Sequence, residues 1–343
     1  MFDPRTGARF LKNRGAVVGG ALVVLLVAFA IVAPLVCSHD PMHSDFDLGM
    51  TPDMTPSGPG GHYLFGADRL FRDELVRLAF GARLSLVIAV SATLISSFIG
   101  ALVGVVSGYY AGTQGICVPW ASVVAFVGSV ALLTVGRPHG AGAAAATGIV
   151  LVVISGTVRA APALLRSGPR LNADSALMRV VDVGLAFPFL LLVMAIGAAL
   201  DRTTATTILV TLGLTGWLGA ARVLRAKTLQ VRNLEFVVAA RALGQSTPAI
   251  LARHVLPNVL GPLIVIATIS VAQMIVAEAV LSYLGVGISP PTPTLGHMLF
   301  EGQDYYLAAP WLLLAPGTAI LLAVFGFNLL GEGLRDALDP QED

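Results

Sequence analysis

The chain has 343 residues, 56% of them hydrophobic and only 12% charged, with a formal net charge of +1. A soluble domain carries roughly a quarter of its residues as charged side chains, so this composition excludes a soluble enzyme and a disordered chain, and the near-zero charge excludes a nucleic-acid partner. The remaining class is an all-α polytopic membrane protein in contact with the lipid bilayer.

Residues 1–40 hold a basic segment with Arg5, Arg9, Lys12 and Arg14, followed by the apolar run 16–36. Ala28-Phe29-Ala30 is similar to a signal-peptide cleavage site, but the run continues far enough to cross a bilayer and reads as an uncleaved first span. Residues 41–82 begin as a loop rich in Pro, Gly and Asp and end in a segment with Arg69, Arg72, Arg77 and Arg83. Those arginines are expected on an amphipathic segment at the membrane surface.

Further apolar runs follow at 84–106, 118–135, 143–158, 185–200, 206–218, 261–284 and 311–330, which predicts eight spans. Alternation of period two is absent, so a β-barrel is excluded and the backbone must pair within helices. Lys and Arg are concentrated in the segments on the N-terminal side, which places both termini in the cytoplasm. Asp182 is expected to form an interfacial ion pair with Arg179. Glu278 lies within the run 261–284, with Gln273 five residues earlier. A charge there costs about 2.5–3.5 kcal/mol. Two readings of Gln273 and Glu278 stand, a translocation path and an interhelical polar contact.

The polar stretch 222–258 is far longer than the usual helix connection of about 2–8 residues. Its sequence predicts a short helix within Glu235–Gly244 that stops at Gly244, and a second short helix over roughly 248–255 that opens on Pro248 and ends before Pro257. Chemistry is missing elsewhere. There is no Gly-x-x-x-x-Gly-Lys-Ser/Thr and no His-Glu-x-x-His, and Lys227-Thr228 lacks the glycines of a phosphate loop. Cys37 and Cys117 show no metal spacing. The chain is therefore expected to have no catalytic residue, no metal site and no cofactor of its own.

Ala239-Ala240, Gly244 and Leu256-Pro257 resemble the EAA motif of ABC importer permeases. Val238 stands where that motif usually has its first acid, and Glu235 supplies one slightly earlier. The resemblance extends through Gly66-Ala67-Asp68, Arg72-Asp73, Gly81-Ala82-Arg83-Leu84-Ser85, Met178-Arg179, Phe187-Pro188, Arg253-His254, Ala277-Glu278-Ala279, Pro290-Pro291 and Asn328 to Asp339-Pro340. It points to the C-type subunit of dipeptide/oligopeptide (peptide/nickel) importers. Phe71 departs from it, standing where the family commonly has Gly.

The resemblance implies a type I ABC importer transmembrane fold with a six-helix core. The permease domain would cover 83–334, with a cytoplasmic coupling loop at 222–258 and a cytoplasmic tail at 335–343. The coupling residues it implies are Glu235, Ala239, Ala240, Gly244, Arg253, His254, Leu256 and Pro257. It implies a homologous second permease, two cytoplasmic ABC ATPase domains that hold ATP and Mg, and an extracytoplasmic substrate-binding protein, all at a bacterial inner membrane. The cargo would be di- or oligopeptides or a related small solute. An ion-coupled secondary transporter is the competing class; it would show paired inverted halves, and the chain has no such repeat.

Family members run almost directly from Gly108–Gly112 into the segment Asp174–Arg179, whereas this chain inserts residues 113–173 between them. The two apolar runs there, joined by residues 136–140, read as a transmembrane hairpin with Arg137 and His139 outside, or as a re-entrant one. An even number of crossings is required if the later loop is to face an ATPase.

Overall fold

A computed structural model describes residues 4–36, 39–112, 116–117, 170–198 and 203–338. The runs at 118–135 and 143–158 lie outside the described residues. Among those described, five helices are long and apolar enough to cross a membrane, and a bent pair makes a sixth. These correspond to the six other apolar runs of the sequence.

Helix α1 (Pro4–Lys12) leads into α2 (Arg14–Val36). Asn13 separates them, its Oδ1 accepting from the Ala16 N–H at 3.1 Å and its Nδ2 donating to Asp336 at 2.7 Å. That bond ties the start of α2 to the end of the last helix, α13 (Trp311–Leu338). The two helices approach closely because small residues face each other. A Cβ on Gly333 would lie 2.2 Å from the Ala16 Cβ, and one on Gly19 2.6 Å from the Leu330 backbone nitrogen.

The loop after α2 contains a short α3 (Phe46–Gly49), N-capped by Asp45. Phe71 sits at φ 62°. The position therefore demands the left-handed region, which costs a non-glycine residue roughly 1–2 kcal/mol. Its ring packs on Phe46 at 5.3 Å, a contact glycine lacks.

Helix α4 (Glu74–Tyr110) has 37 residues and is N-capped by Asp73. At 1.5 Å per residue it is about 55 Å long, far beyond a hydrocarbon core of about 30 Å. It begins well before the apolar run at 84–106, because polar contacts rather than lipid hold its first turns. This corrects the expected amphipathic surface segment. Arg83 is exposed, but Arg72 and Arg77 are buried in an ion cluster.

Beyond α4, β1 (Ile116–Cys117) and β2 (Arg170–Leu171) form an antiparallel ribbon. Cys117 pairs with Arg170 and Ile116 with Leu171. The insertion therefore leaves and returns at one end of the bundle.

Helices α5 (Ala173–Ala186) and α6 (Phe189–Ala198) meet at 85°. Pro188 causes the bend: it has no N–H to donate and drives Phe187 to extended geometry, ψ 135°. The run expected at 185–200 is thus the second arm of a broken element. Helices α7 (Ala205–Thr215) and α8 (Trp217–Val231) form one span of 27 residues.

Gly100, Gly104 and Gly108 make one stripe of α4 that faces α8. A Cβ on Gly104 would lie 2.6 Å from the Ala221 carbonyl oxygen, and one on Gly108 2.7 Å from that of Arg225. This close packing carries α8 well past the end of the apolar run at 218, so residues 222–231 are helix rather than loop.

Asp182 pairs with Arg222 across helices at 2.5 Å, not with Arg179. Both partners are more than half exposed, and such a pair adds little stability. Asp174, at the start of α5, accepts from Arg225 Nη2 at 2.7 Å and from Ser107, which locks α5 to α4 and α8.

The chain continues through α9 (Glu235–Ala242), α10 (Thr247–Ile250), a π-helical turn (Leu251–Val255) and α11 (Leu256–Tyr283). The second short helix expected to stop before Pro257 instead runs on into α11. Pro257 would clash with the carbonyl four residues earlier. The widened turn accommodates it, with the Leu256 N–H bonding back to Leu251. Last, α12 (Leu295–Gly302) precedes α13.

Candidate functional site

Three groups of residues stand out along the bundle axis. The first is the motif 232–258 at one end. Glu235 lies in the first turn of α9, where a carboxylate complements the helix dipole. Gly244 closes α9 at φ 77°, with the Gly244 N–H bonded to the Arg241 carbonyl and the Gln245 N–H to that of Ala240. A Cβ there meets nothing within 4 Å, so conformation alone demands the glycine.

His254 Nε2 lies 3.1 Å from Gln245 Oε1, fastening the second arm to the turn, and Asn258 donates to the His254 carbonyl at 2.7 Å within that arm. Ala240 is buried with Val237, Ile250, Val255 and Val259 against Val105, Tyr109, Leu224 and Val231. Glu235, Ala239, Arg253 and Leu256 are exposed, and His254 and Pro257 are half-buried. The exposed face also carries Phe236, Val238 and Leu243, the last 82% exposed. The sequence reading marks Val238 only as a departure from an acid and does not single out Phe236 or Leu243. The signal was present as apolar residues out of register with the buried Val237 and Ala240. The motif is thus a braced helix pair with apolar side chains turned outward.

At the base of this motif Arg232 Nη1 donates to the carbonyls of Gly108 at 3.2 Å, Tyr109 at 3.0 Å and Ala111 at 2.6 Å. The Arg241 guanidinium stands 5.5 Å over the Tyr109 ring.

The second group lines a cleft of about 580 Å³ beside the α5–α6 bend. Phe187, Phe189, Thr215, Gln273, Met274 and Asn328 contribute to its walls. Gln273 is exposed there; Asn328 was not singled out as a path residue by the sequence. Glu278 is elsewhere, wholly buried, with Oε2 accepting from Ser85 at 2.7 Å and Oε1 from Ser282 at 2.8 Å. It joins α11 to α4. The structure thus separates two residues that the sequence grouped.

The third group lies at the opposite end. Glu301 of α12 faces Arg77 at 2.7 Å, Arg69 at 3.2 Å, Arg72 at 3.4 Å and His297 at 3.5 Å. Asp68 completes the cluster with Arg72 at 2.6 Å and Arg77 at 3.0 Å. Burial alone would raise the Glu301 carboxyl, but His297 and the guanidinium charges of Arg77 and Arg72 bring it down to about 2. A depressed carboxyl stabilises the fold above its ordinary value of 4.5 and loses that contribution as pH falls toward 2. The stability difference between the wild type and Glu301→Gln, measured by thermal unfolding in detergent, is expected to be constant above about pH 5 and to shrink below it. A difference that instead changes between neutral pH and pH 5 would contradict this assignment.

Residues 160–342 match the family described as binding-protein-dependent transport system inner membrane component. Residues 5–53 match the N-terminal transmembrane domain of oligopeptide transport permease C. The chain is 34% identical to the di/tripeptide transport system permease protein DppC of Pseudomonas aeruginosa (strain UCBPP-PA14), over 97% of this chain and 90% of that one. It is 32% identical to the oligopeptide transport system permease protein OppC of Bacillus subtilis (strain 168), over 97% and 88% of the two chains. The oligopeptide transport system permease protein OppC of Escherichia coli (strain K12) is also 32% identical, over 97% and 89%.

Proposed function

The chain belongs to the family of binding-protein-dependent transport system inner membrane components, as a multi-pass permease subunit of an ABC importer, and from that premise we propose how it works and what it carries. It pairs with a homologous second permease to enclose the path, and the two share two cytoplasmic ABC ATPase domains that hold ATP and Mg. An extracytoplasmic binding protein delivers di- or oligopeptides. Both termini and the motif 232–258 face the cytoplasm, and the Glu301 cluster faces outward.

The observation that carries this reading is the motif itself. Two short helices meet at a left-handed glycine, are braced on the core by Val237, Ala240 and Ile250, and present Val238 and Leu243 outward. Such a surface fits a groove on an ATPase. Closure of the ATPases displaces the motif, the helices follow, and the cleft at the α5–α6 bend changes its access from one side to the other. The cleft walls are largely apolar, with the amides of Gln273 and Asn328 available to a peptide backbone. That arrangement tolerates variable side chains and leaves selectivity largely to the binding protein.

Gly244→Asp tests the motif. An aspartate accepts the left-handed region at a cost of about 1 kcal/mol, and space is open, so membrane insertion is retained. The added charge on the docking face is expected to lower transport-coupled ATP hydrolysis and uptake on the order of tenfold. Wild-type uptake by this variant would argue that the motif does not dock. Uptake of labelled peptides by the assembled importer with its binding protein tests the cargo. Saturable uptake of a different solute, with every peptide refused, would overturn the peptide reading.

A further inference from the structure

Helix α4 is held at both ends by charged groups that the docking role leaves unexplained. At the motif end, the last carbonyls of α4 have no partner within the helix. Arg232 supplies one cation to the carbonyls of Gly108, Tyr109 and Ala111. This also sets a positive charge at the negative end of the helix dipole. Arg232 is the residue at which α8 gives way to the motif, so it lies on the covalent path from α8 to α9. Arg241 of α9 grips the same place from the other side, over Tyr109. Next to the motif end the stripe of Gly100, Gly104 and Gly108 locks α4 to α8. At the far end, Arg77 in the first turn of α4 is buried against Glu301 and Asp68.

Both arms of the motif bear on α4. Val237 and Ala240 of α9, and Ile250, Val255 and Val259 of the second arm, pack on Val105 and Tyr109 of α4 and on Leu224 and Val231. The second arm also runs through the π-helical turn into α11, and the Ser85–Glu278 bond and the Arg77–Glu301 pair tie α4 to α11 and α12.

We propose that Arg232 is a positioning residue that transfers displacement of the motif to α4, and that α4 acts as a rod whose far end works the ion cluster at Glu301. This rests on the importer reading above. A motion applied at Tyr110 is delivered about 50 Å away at Arg77 with no flexible joint between, because α4 is a single unbroken helix. The outer mouth is thus actuated directly from the motif, in addition to the bend at Pro188.

The test uses the assembled importer in nanodiscs, with Cys37 and Cys117 replaced by Ser. Spin labels at Leu70→Cys and Leu307→Cys, both exposed, report on the two sides of the Glu301 cluster. In the parent, a non-hydrolysable ATP analogue with Mg is expected to shift the label distance. In Arg232→Gln the complex is expected to assemble and hydrolyse ATP, while the shift is lost and uptake falls on the order of tenfold. Arg232→Lys, which restores a cation to the same carbonyls, should recover part of the shift. If Arg232→Gln does not assemble, Arg241→Gln replaces it and should show a smaller loss of the same kind. An assembled Arg232→Gln or Arg241→Gln complex with the full parental shift overturns the proposal. A parent that binds no ATPase, or shows no nucleotide-driven shift, would instead bring down the importer reading on which it stands.

Discussion

Gly104→Leu is expected to prevent accumulation of folded protein in the membrane. Even the first atom of the new side chain would sit 2.6 Å from the Ala221 carbonyl oxygen and 2.9 Å from the Leu224 Cβ. Backbone cannot rotate away, so α4 and α8 must separate. Separation also breaks the contacts made by Gly100 and Gly108 on the same stripe. Overpacking costs typically about 1–3 kcal/mol even where neighbours can adjust, and here one turn of relief is blocked by the next glycine on either side. A total stability of roughly 5–15 kcal/mol leaves little reserve. Gly261→Leu is the control, because a Cβ there meets nothing within 4 Å. Size-exclusion profiles of the two variants in mild detergent make the comparison. Equal yields of monodisperse protein would show that the stripe does not set the α4–α8 contact.

Arg77→Met is expected to have the next largest effect. Its side chain is 1% exposed, and it faces Asp68 and Glu301, which are 3% and 7% exposed. Removing one partner of a buried pair costs about 3–5 kcal/mol, because the charge left behind has lost its compensation. Arg72 still reaches both carboxylates and moderates the loss. The loop that follows α2 should therefore loosen before the spans do, seen as faster proteolysis within residues 39–66 and a lower unfolding midpoint. Adding Glu301→Gln to Arg77→Met should recover part of the stability by removing the stranded charge. A double variant less stable than the single one would show that the cluster acts by shape and not by charge balance.

The spans were legible because hydrocarbon imposes a simple requirement: the apolar runs at 16–36, 84–106 and 311–330 lie within helices, and that at 261–284 ends one residue beyond α11. Helix ends were not legible. Hydropathy ends where lipid ends, but α4 starts at Glu74 and α8 continues to Val231 through pairings that no local pattern reveals. Spacing along one helix face suggests Arg179 as the partner of Asp182, but its partner, Arg222, comes from another helix. The α9–Gly244 half of the motif was legible, since a helix stop at glycine is local chemistry. Its continuation through Pro257 was not, because a widened turn has no sequence signature. Gln273 and Glu278 could have been parted from sequence alone. Five residues advance a helix by about 140° around its axis, so the two side chains face different surroundings. The glycine stripe was also in plain view at a spacing of four, hidden only by the abundance of glycine.

The β1–β2 ribbon makes the chain modular. With Cys117 and Arg170 paired across the strands, their backbones stand about 5 Å apart, a gap that a two-residue turn closes. The entropy of bringing these ends together is charged to the ribbon and the helices behind it, and it grows only slowly with whatever lies between. A lineage can therefore lengthen, exchange or delete the intervening segment without renegotiating the transport machinery. The same junction offers the experimenter a port where a reporter domain can be spliced in.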